Sequence, residues 1–248
     1  MPAVEGNTTF YALPSHDTAQ KWADAVPDDF RFMFKFSRSI THERKLRNCE
    51  ADVETFFEAL EPCLSRMDPV AIQLPASFGP MDIGALDQFL TGLPLTTRYA
   101  VEVRHPGFFD GGNTERDLNE LLYERSADRI ILDSRAVFAG PRLTPAENDA
   151  FENKPRLPVR AVATNDRPVV RFIGQTSFDA NPPFWKPWVD TVARWLEDGR
   201  SPTVFLHTPD NVVAIDLARR FYDDVRILVP IIPPLTEAPT VDAPALFD

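Results

Sequence analysis

A carboxylate and a guanidinium stand two residues apart in Tyr99-Ala100-Val101-Glu102-Val103-Arg104-His105-Pro106. Side chains on a strand alternate faces, so Glu102 and Arg104 share one face while Val101 and Val103 share the other. Burying both charges costs free energy unless they are paired or hydrogen-bonded, so they form either a buried ion pair or a site of chemistry. Polar residues fall near the ends of other strand-like runs as well. Lys35 lies in Phe32-Met33-Phe34-Lys35-Phe36 and Gln73 in Val70-Ala71-Ile72-Gln73-Leu74-Pro75. Asp133 closes Ile130-Ile131-Leu132-Asp133, Arg171 interrupts Val169-Val170-Arg171-Phe172-Ile173, and His207 ends Val204-Phe205-Leu206-His207. Each alone has a structural explanation, because Lys and Arg snorkel to water and a lone His or Gln is usually hydrogen-bonded for stability. They recur near six successive strand ends, and if the strands close into a barrel they converge on one mouth.

Lys35, Arg104 and Arg171 against Glu102 and Asp133 leave that mouth at +1 in a chain of net charge −11. A pocket more positive than its surroundings suits an anionic ligand, a phosphate or carboxylate held by Arg forks. His42, His105 and His207 lie on or just after strand ends, and an imidazole whose ordinary pKa is about 6.5 is a candidate proton shuttle. Histidines and carboxylates are also metal-ligand types, but no H-E-x-x-H or similar spacing occurs and the nearby cations would repel a divalent ion, so no metal and no cofactor are expected. There is no G-x-S-x-G elbow, no cysteine at a strand end, and no Walker or Rossmann glycine loop.

The elements that must position these groups alternate. Apolar runs of strand length occupy Thr8 to Tyr11, Arg31 to Phe36, Pro69 to Leu74, Tyr99 to Arg104, Arg129 to Leu132, Val169 to Ile173 and Thr203 to His207. Helical patterns lie between most of them: Ser15 to Val26, Ala51 to Met67 with a break near Pro62, Asp82 to Leu90, Thr114 to Arg125, Phe184 to Glu197 and Asn211 to Tyr222. Such alternation predicts βα units and a parallel sheet. Ser15, Asp82 and Asn113 or Thr114 are plausible N-caps. Asp133 to Arg167, with four prolines and little periodicity, reads as a long irregular connection over one end of the barrel. Val225 to Ile232 reads as a short extended segment. The organisation expected is a single domain over 1–232 and a Pro-rich tail over 233–248, unstructured or draped on the surface.

At 248 residues, with 44% hydrophobic and 25% charged side chains, the chain has the composition of a soluble globular protein. No apolar run approaches the roughly 18 to 20 residues that span a bilayer. The first residues lack a basic and then apolar leader, which makes the cytoplasm the expected compartment. Cys49 and Cys63 have neither metal nor redox spacing and read as reduced thiols. The acidic balance weighs against sequence-independent binding to nucleic acid.

Several motifs in order and spacing resemble the DUF72 family, also called YecE-like. They are Asn7-Thr8-Thr9-Phe10-Tyr11, Phe34-Lys35 with Thr41-His42-Glu43-Arg44-Lys45-Leu46, Gln73-Leu74-Pro75-Ala76-Ser77-Phe78, Ala100 to Pro106, and Val170-Arg171-Phe172-Ile173-Gly174. The resemblance spans Asn7 to Tyr222 and implies a TIM-barrel-like (β/α) fold with no established activity. Its characteristic polar positions correspond here to Asn7, Tyr11, Lys35, Thr41, His42, Gln73, Glu102, Arg104, His105, Asp133 and Arg171. Family members usually begin with a further strand and a Gly-, Trp- and Tyr-rich turn, whereas six residues precede Asn7 here. The resemblance therefore implies a seven-stranded barrel, incomplete or rearranged at its first strand. The family also tends to end its last strand with aromatic and Asn residues, where this chain has Phe205-Leu206-His207-Thr208-Pro209-Asp210-Asn211. Open edges of such a barrel are normally covered, here by Val225 to Ile232 or by a second copy in a homo-oligomer, or else the barrel stays split and its mouth widens.

Three functions stay open. The first is an enzyme acting on a small anionic metabolite, with catalytic roles for Glu102, His105, Asp133, Lys35 and His42, and ligand binding by Asn7, Tyr11, Gln73, Arg104, Arg171 and His207. The second is a non-catalytic binding or scaffold protein in which the Glu102 and Arg104 pair is structural. The third is a metal-dependent hydrolase or nuclease on the same barrel.

Overall fold

The structure, a computed structural model, describes residues 2–235. Its tertiary contacts group into two compact units, one over Pro2–Asp128 and the other from Arg129 onward. The expectations for the Pro-rich tail fall on 236–248, outside the described residues, except for its first three positions.

In the first unit the order is β1 (Ala3–Gly6), α1 (Thr8–Tyr11), α2 (His16–Asp24), β2 (Arg31–Phe34), a π-helical turn (Ser39–Glu43), α3 (Glu50–Ala59), β3 (Val70–Gln73), α4 (Ile83–Gly92), β4 (Tyr99–Glu102) and α5 (Asn113–Glu124). β1 and β2 pair in parallel, as do β3 and β4, and single bridges from Phe32 to Met67 and from Lys35 to Ala71 carry the pairing from β2 to β3. Phe32, Phe34, Phe36, Ile72 and Val101 lie on one sheet face and pack against Trp22 of α2, Phe56 of α3, Leu86 and Phe89 of α4, and Leu118 of α5. Aromatic contacts dominate this layer: Phe34 stacks on Trp22 with centroids 5.8 Å apart, and Phe36 meets Phe56 at 4.6 Å. Burial of these rings, each removing roughly 150–250 Å² from water, is the main force holding the helices on the sheet.

The first strand differs from expectation. The ladder partner of β2 is Ala3–Gly6, and Thr8 to Tyr11 forms one helical turn instead. Thr-Thr-Phe-Tyr has strand propensity, but that preference is weak beside tertiary bonds. Here Thr9 Oγ1 donates to the Lys35 carbonyl at 2.8 Å and accepts from the Lys35 amide at 3.2 Å, which docks the turn on the end of β2. The break expected near Pro62 is present, since α3 stops at Ala59 and a 3₁₀ segment covers Glu61–Arg66. Ser15 caps α2 by accepting from the Thr18 amide.

The second unit contains β5 (Asp128–Asp133), whose first residue belongs to the first unit, then α6 (Arg135–Ala139), α7 (Pro145–Asn153), β6 (Val169–Ile173), α8 (Pro182–Glu197), β7 (Thr203–His207) and α9 (Ala214–Leu228). β5 pairs with β6 and β6 with β7, all parallel. Ile131, Val170, Phe172 and Leu206 face Trp185, Trp188 and Trp195 of α8 and Leu217, Phe221 and Val225 of α9. Two expectations change in this unit. The connection from Asp133 to Arg167 carries α6 and α7, and α7 opens on a capping box in which Thr144 and Glu147 exchange bonds. Val225 to Ile232 is not extended: Leu217, Phe221 and Val225 continue one apolar stripe at helical spacing, so α9 runs to Leu228.

Candidate functional site

The register of the first unit decides which polar residues meet. Glu5 is opposite Met33, Lys35 bridges to Ala71, and Gln73 is opposite Glu102. Paired residues project from the same face, and a step of two residues returns to it. Glu5, Lys35, Gln73 and Glu102 therefore form a row across four strands, on the face opposite the phenylalanine layer. All four sit at the C-terminal ends of their strands, where parallel α/β folds place functional groups.

The row is closed by short contacts. Lys35 Nζ lies 2.7 Å from Glu5 Oε1, with side chains 6% and 2% exposed, and it donates to Gln73 Oε1 at 3.1 Å. Next along the row, Glu102 is 1% exposed, and its Oε1 accepts from Arg104 Nε at 2.7 Å and lies 2.6 Å from Nη2. The Arg104 side chain keeps 21% of its surface exposed, and its Nη1 makes no hydrogen bond among the described residues. Glu5 escapes a reading of the sequence that places the first strand at Thr8. The signal for it is the alternation Ala3-Val4-Glu5-Gly6 directly ahead of Asn7. Including Glu5 also changes the charge count, because two cations now meet two carboxylates and this row is balanced.

His42 belongs to the π-helical turn that follows β2, a rare geometry often found at functional sites. Its Nδ1 lies 2.9 Å from Thr41 Oγ1, and the edge of Phe10 meets the ring at 5.0 Å. Burial first, then the positive charges of Arg104 and Arg38, pull its pKa from 6.5 down to about 4 against the opposing pull of Glu102 and Glu43. His42 is a neutral imidazole near neutral pH. His105 is used differently: its Nδ1 accepts from the Gly107 amide at 3.0 Å and caps the 3₁₀ turn Pro106–Phe109. The backbones of Gly79 and Gly107 press on this ring so closely that a Cβ at either would lie 3.0–3.1 Å from a ring nitrogen. Tyr11 is 79% exposed on α1, and Asn7 is exposed at the start of that turn.

The remaining expected residues lie in the second unit. Asp133 follows the parity of Ile131 and so turns toward the helices, on the face it shares with Phe172 and Leu206. It is fully buried, and four donors fill it: the Arg135 amide and Nε at 3.0 Å, Arg135 Nη2 at 2.8 Å and Trp188 Nε1 at 2.7 Å. Arg171 occupies the other face with Leu132 and Phe205, and His207 shares that face opposite Ile173. Leu132 and Ile173 on this face are covered by Val137 of α6 and Ala150 of α7. Glu147, which caps α7, also accepts from the Thr176 hydroxyl, and that bond holds its carboxyl below the usual range. The loop after β6 is organised by Asn181, whose Oδ1 accepts from the Gln175 amide and whose Nδ2 donates to the Gln175, Ser177 and Phe178 carbonyls. Gly174 is required there, since a Cβ at this position would collide with Asn181 Oδ1.

Among the described residues no group of three or more His, Cys, Asp and Glu side chains could hold a metal ion, and no helix is long and apolar enough to cross a membrane. Burial pushes the thiols of Cys49 and Cys63 up to about 11, which removes both as nucleophiles near neutral pH.

A family model described as "Protein of unknown function DUF72" matches residues 1–240. Two proteins called UPF0759 protein YecE, from Escherichia coli strain K12 and Escherichia coli O157:H7, are 42% and 41% identical over 227 residues, which is 92% of this chain and 83% of each relative. A crystal structure of a DUF72 family protein from Enterococcus faecalis V583 superposes with a TM-score of 0.70 at 18% identity, covering 94% of this chain and 91% of the other. One from Thermotoga maritima MSB8 does so at 0.66 and 21% identity, covering 90% and 84%. With the family model spanning nearly the whole sequence and relatives above 40% identity, the chain belongs to the DUF72 family.

Proposed function

We propose that this protein is an enzyme that moves a proton on a small metabolite bearing a carboxylate or phosphate. Arg104 anchors the anionic group and His42 accepts the proton. The observation that carries this reading is the pairing of a half-used guanidinium with a neutral imidazole. Glu102 occupies Nε and Nη2 of Arg104, which aims the fork and leaves Nη1 for a ligand. Lys35, locked between Glu5 and Gln73, sets the electrostatics of the row without touching the ligand. Asn7 and Tyr11 are exposed at the start and end of α1, the turn whose Phe10 touches His42, and are assigned to ligand binding. The finer fold reading, a TIM-type (β/α) barrel with a C-terminal mouth, is supported by parallel strands each followed by helix and by the polar strand ends of the first unit. Two buried thiols support a reducing, cytoplasmic compartment.

The test is ligand-dependent stabilisation. Parent and Arg104→Met proteins are titrated with carboxylates and phosphate monoesters while the melting temperature is followed. A ligand at 100 times its Kd adds about 2.7 kcal/mol to stability. The increment should appear in the parent and vanish in Arg104→Met, whatever the variant's own melting point. No increment with any anion, or an equal one in both proteins, overturns the reading.

The closed Lys35, Glu5 and Gln73 contacts favour a second reading, a binding or scaffold protein with a structural polar row. It would be supported by a ligand that stabilises the parent and is recovered chemically unchanged.

A further inference from the structure

We propose that Thr41 is a positioning residue that holds His42 as the Nδ1–H tautomer and so presents a bare Nε2 as the proton acceptor. This rests on the reading of His42 as the base and supplies the device that makes it one. Thr41 is fully buried within the π-helical turn and has a single hydroxyl hydrogen. We assign that hydrogen to the Ser37 carbonyl, four residues back along the turn. The Ser37 carbonyl, 3.1 Å from Oγ1, can only accept, and it also receives the Thr41 amide at 3.2 Å. With its hydrogen spent, Oγ1 can only accept along the 2.9 Å contact to His42 Nδ1. With that assignment the ring hydrogen sits on Nδ1 and the lone pair on Nε2, which has no hydrogen-bond partner among the described residues. Phe10 restrains the ring by an edge contact at an interplanar angle of 79°.

His105 shows that this is a property of the site and not of histidines in general. A backbone amide can only donate, so the Gly107 amide places the lone pair of His105 on Nδ1 and its hydrogen on Nε2. The neighbours of these two histidines set them in opposite tautomers, and of the two only His42 keeps its lone pair on Nε2. The charged groups acting on His42 are Arg104 and Glu102 from the end of β4, and Arg38 and Glu43 from its own turn. They bear on whether the ring is protonated. Which nitrogen carries the hydrogen of the neutral ring is set by Thr41.

The test reads the tautomer directly, by long-range proton–nitrogen NMR of ¹⁵N-histidine-labelled full-length protein at pH 7 without ligand. His42→Gln assigns the signal. The parent and Thr41→Ser should show His42 almost wholly as Nδ1–H. Thr41→Val, which keeps the shape and removes the hydroxyl, should lose that preference while His105 stays Nε2–H. A parent signal with the hydrogen on Nε2, or a Thr41→Val spectrum identical to the parent, overturns the proposal. The parent spectrum decides even if Thr41→Val fails to fold. Because no ligand enters this experiment, a failed anion titration with the Nδ1–H form intact removes the proposed function and leaves the tautomer lock standing.

Discussion

The same local pattern stands at a strand end in each unit with opposite results. Glu102 and Arg104 stand two residues apart at the end of β4, and Asp133 and Arg135 stand two apart at the end of β5. Both carboxylates are buried and both guanidiniums fold back on them. Asp133 has the parity of the helix-facing residues, so Trp188 and the Arg135 amide complete its shell, and Arg135 spreads along the surface with its side chain 50% exposed. Glu102 has the opposite parity and joins a row of polar strand ends, where its partner keeps one face open beside a neutral histidine. A carboxylate filled by four donors on a helix-facing side is a strut. One that engages only Nε and Nη2 of its partner leaves Nη1 without a hydrogen bond among the described residues.

The largest expected effect tests the row itself. Lys35→Met leaves Glu5 as a buried charge without its cation and should destabilise by about 3–5 kcal/mol in urea unfolding. Adding Glu5→Leu should restore much of that loss, because removing both partners of a buried pair is far less costly than removing one. Asp133→Asn comes next, at about 1–3 kcal/mol, from weakened bonds to a buried acceptor. Its ligand-induced stabilisation should equal the parent's, and a lost anion response in this variant would break the division between strut and site. Gly174→Ala should cost a similar 1–3 kcal/mol, by roughly the amount seen when a packed interior is overfilled, since it drives a methyl group into Asn181.

The last effect is a pH dependence. The folded pKa of His42, about 4, lies below its ordinary 6.5. Between those values the unfolded chain binds more protons than the folded one, so stability falls as pH falls from 6.5 to 4 and loses nothing further from this group below 4. Urea midpoints measured across that window should drop less in His42→Gln than in the parent. Equal slopes would show that the folded site does not depress the titration of this ring.

Much of this was legible in the chain. The alternation of apolar runs with helical patterns marks out β2 to β7 and the helices between them except α6 and α7, because periods of two and 3.6 residues are written into the order of side chains. The facing of Phe32, Phe34 and Phe36 toward the helices, away from Lys35, follows from the same rule. α7 could have been read from Thr144-Pro145-Ala146-Glu147, a capping box hidden in a proline-rich stretch. β1 could not be read with the same security. Four residues carry little periodicity, and the better strand formers next to them are held in a helical turn by the backbone of Lys35.

The pairing of Glu102 with Arg104 was legible in the sequence alone, since two residues of spacing at a strand end put both on one side. Which face each pair occupies, whether Glu5 completes the row, and which nitrogen of His42 carries its hydrogen were decided only by tertiary structure. The reason is physical: parity along one strand is local, but the face it selects acquires meaning only from the register of neighbouring strands and the helices packed against them.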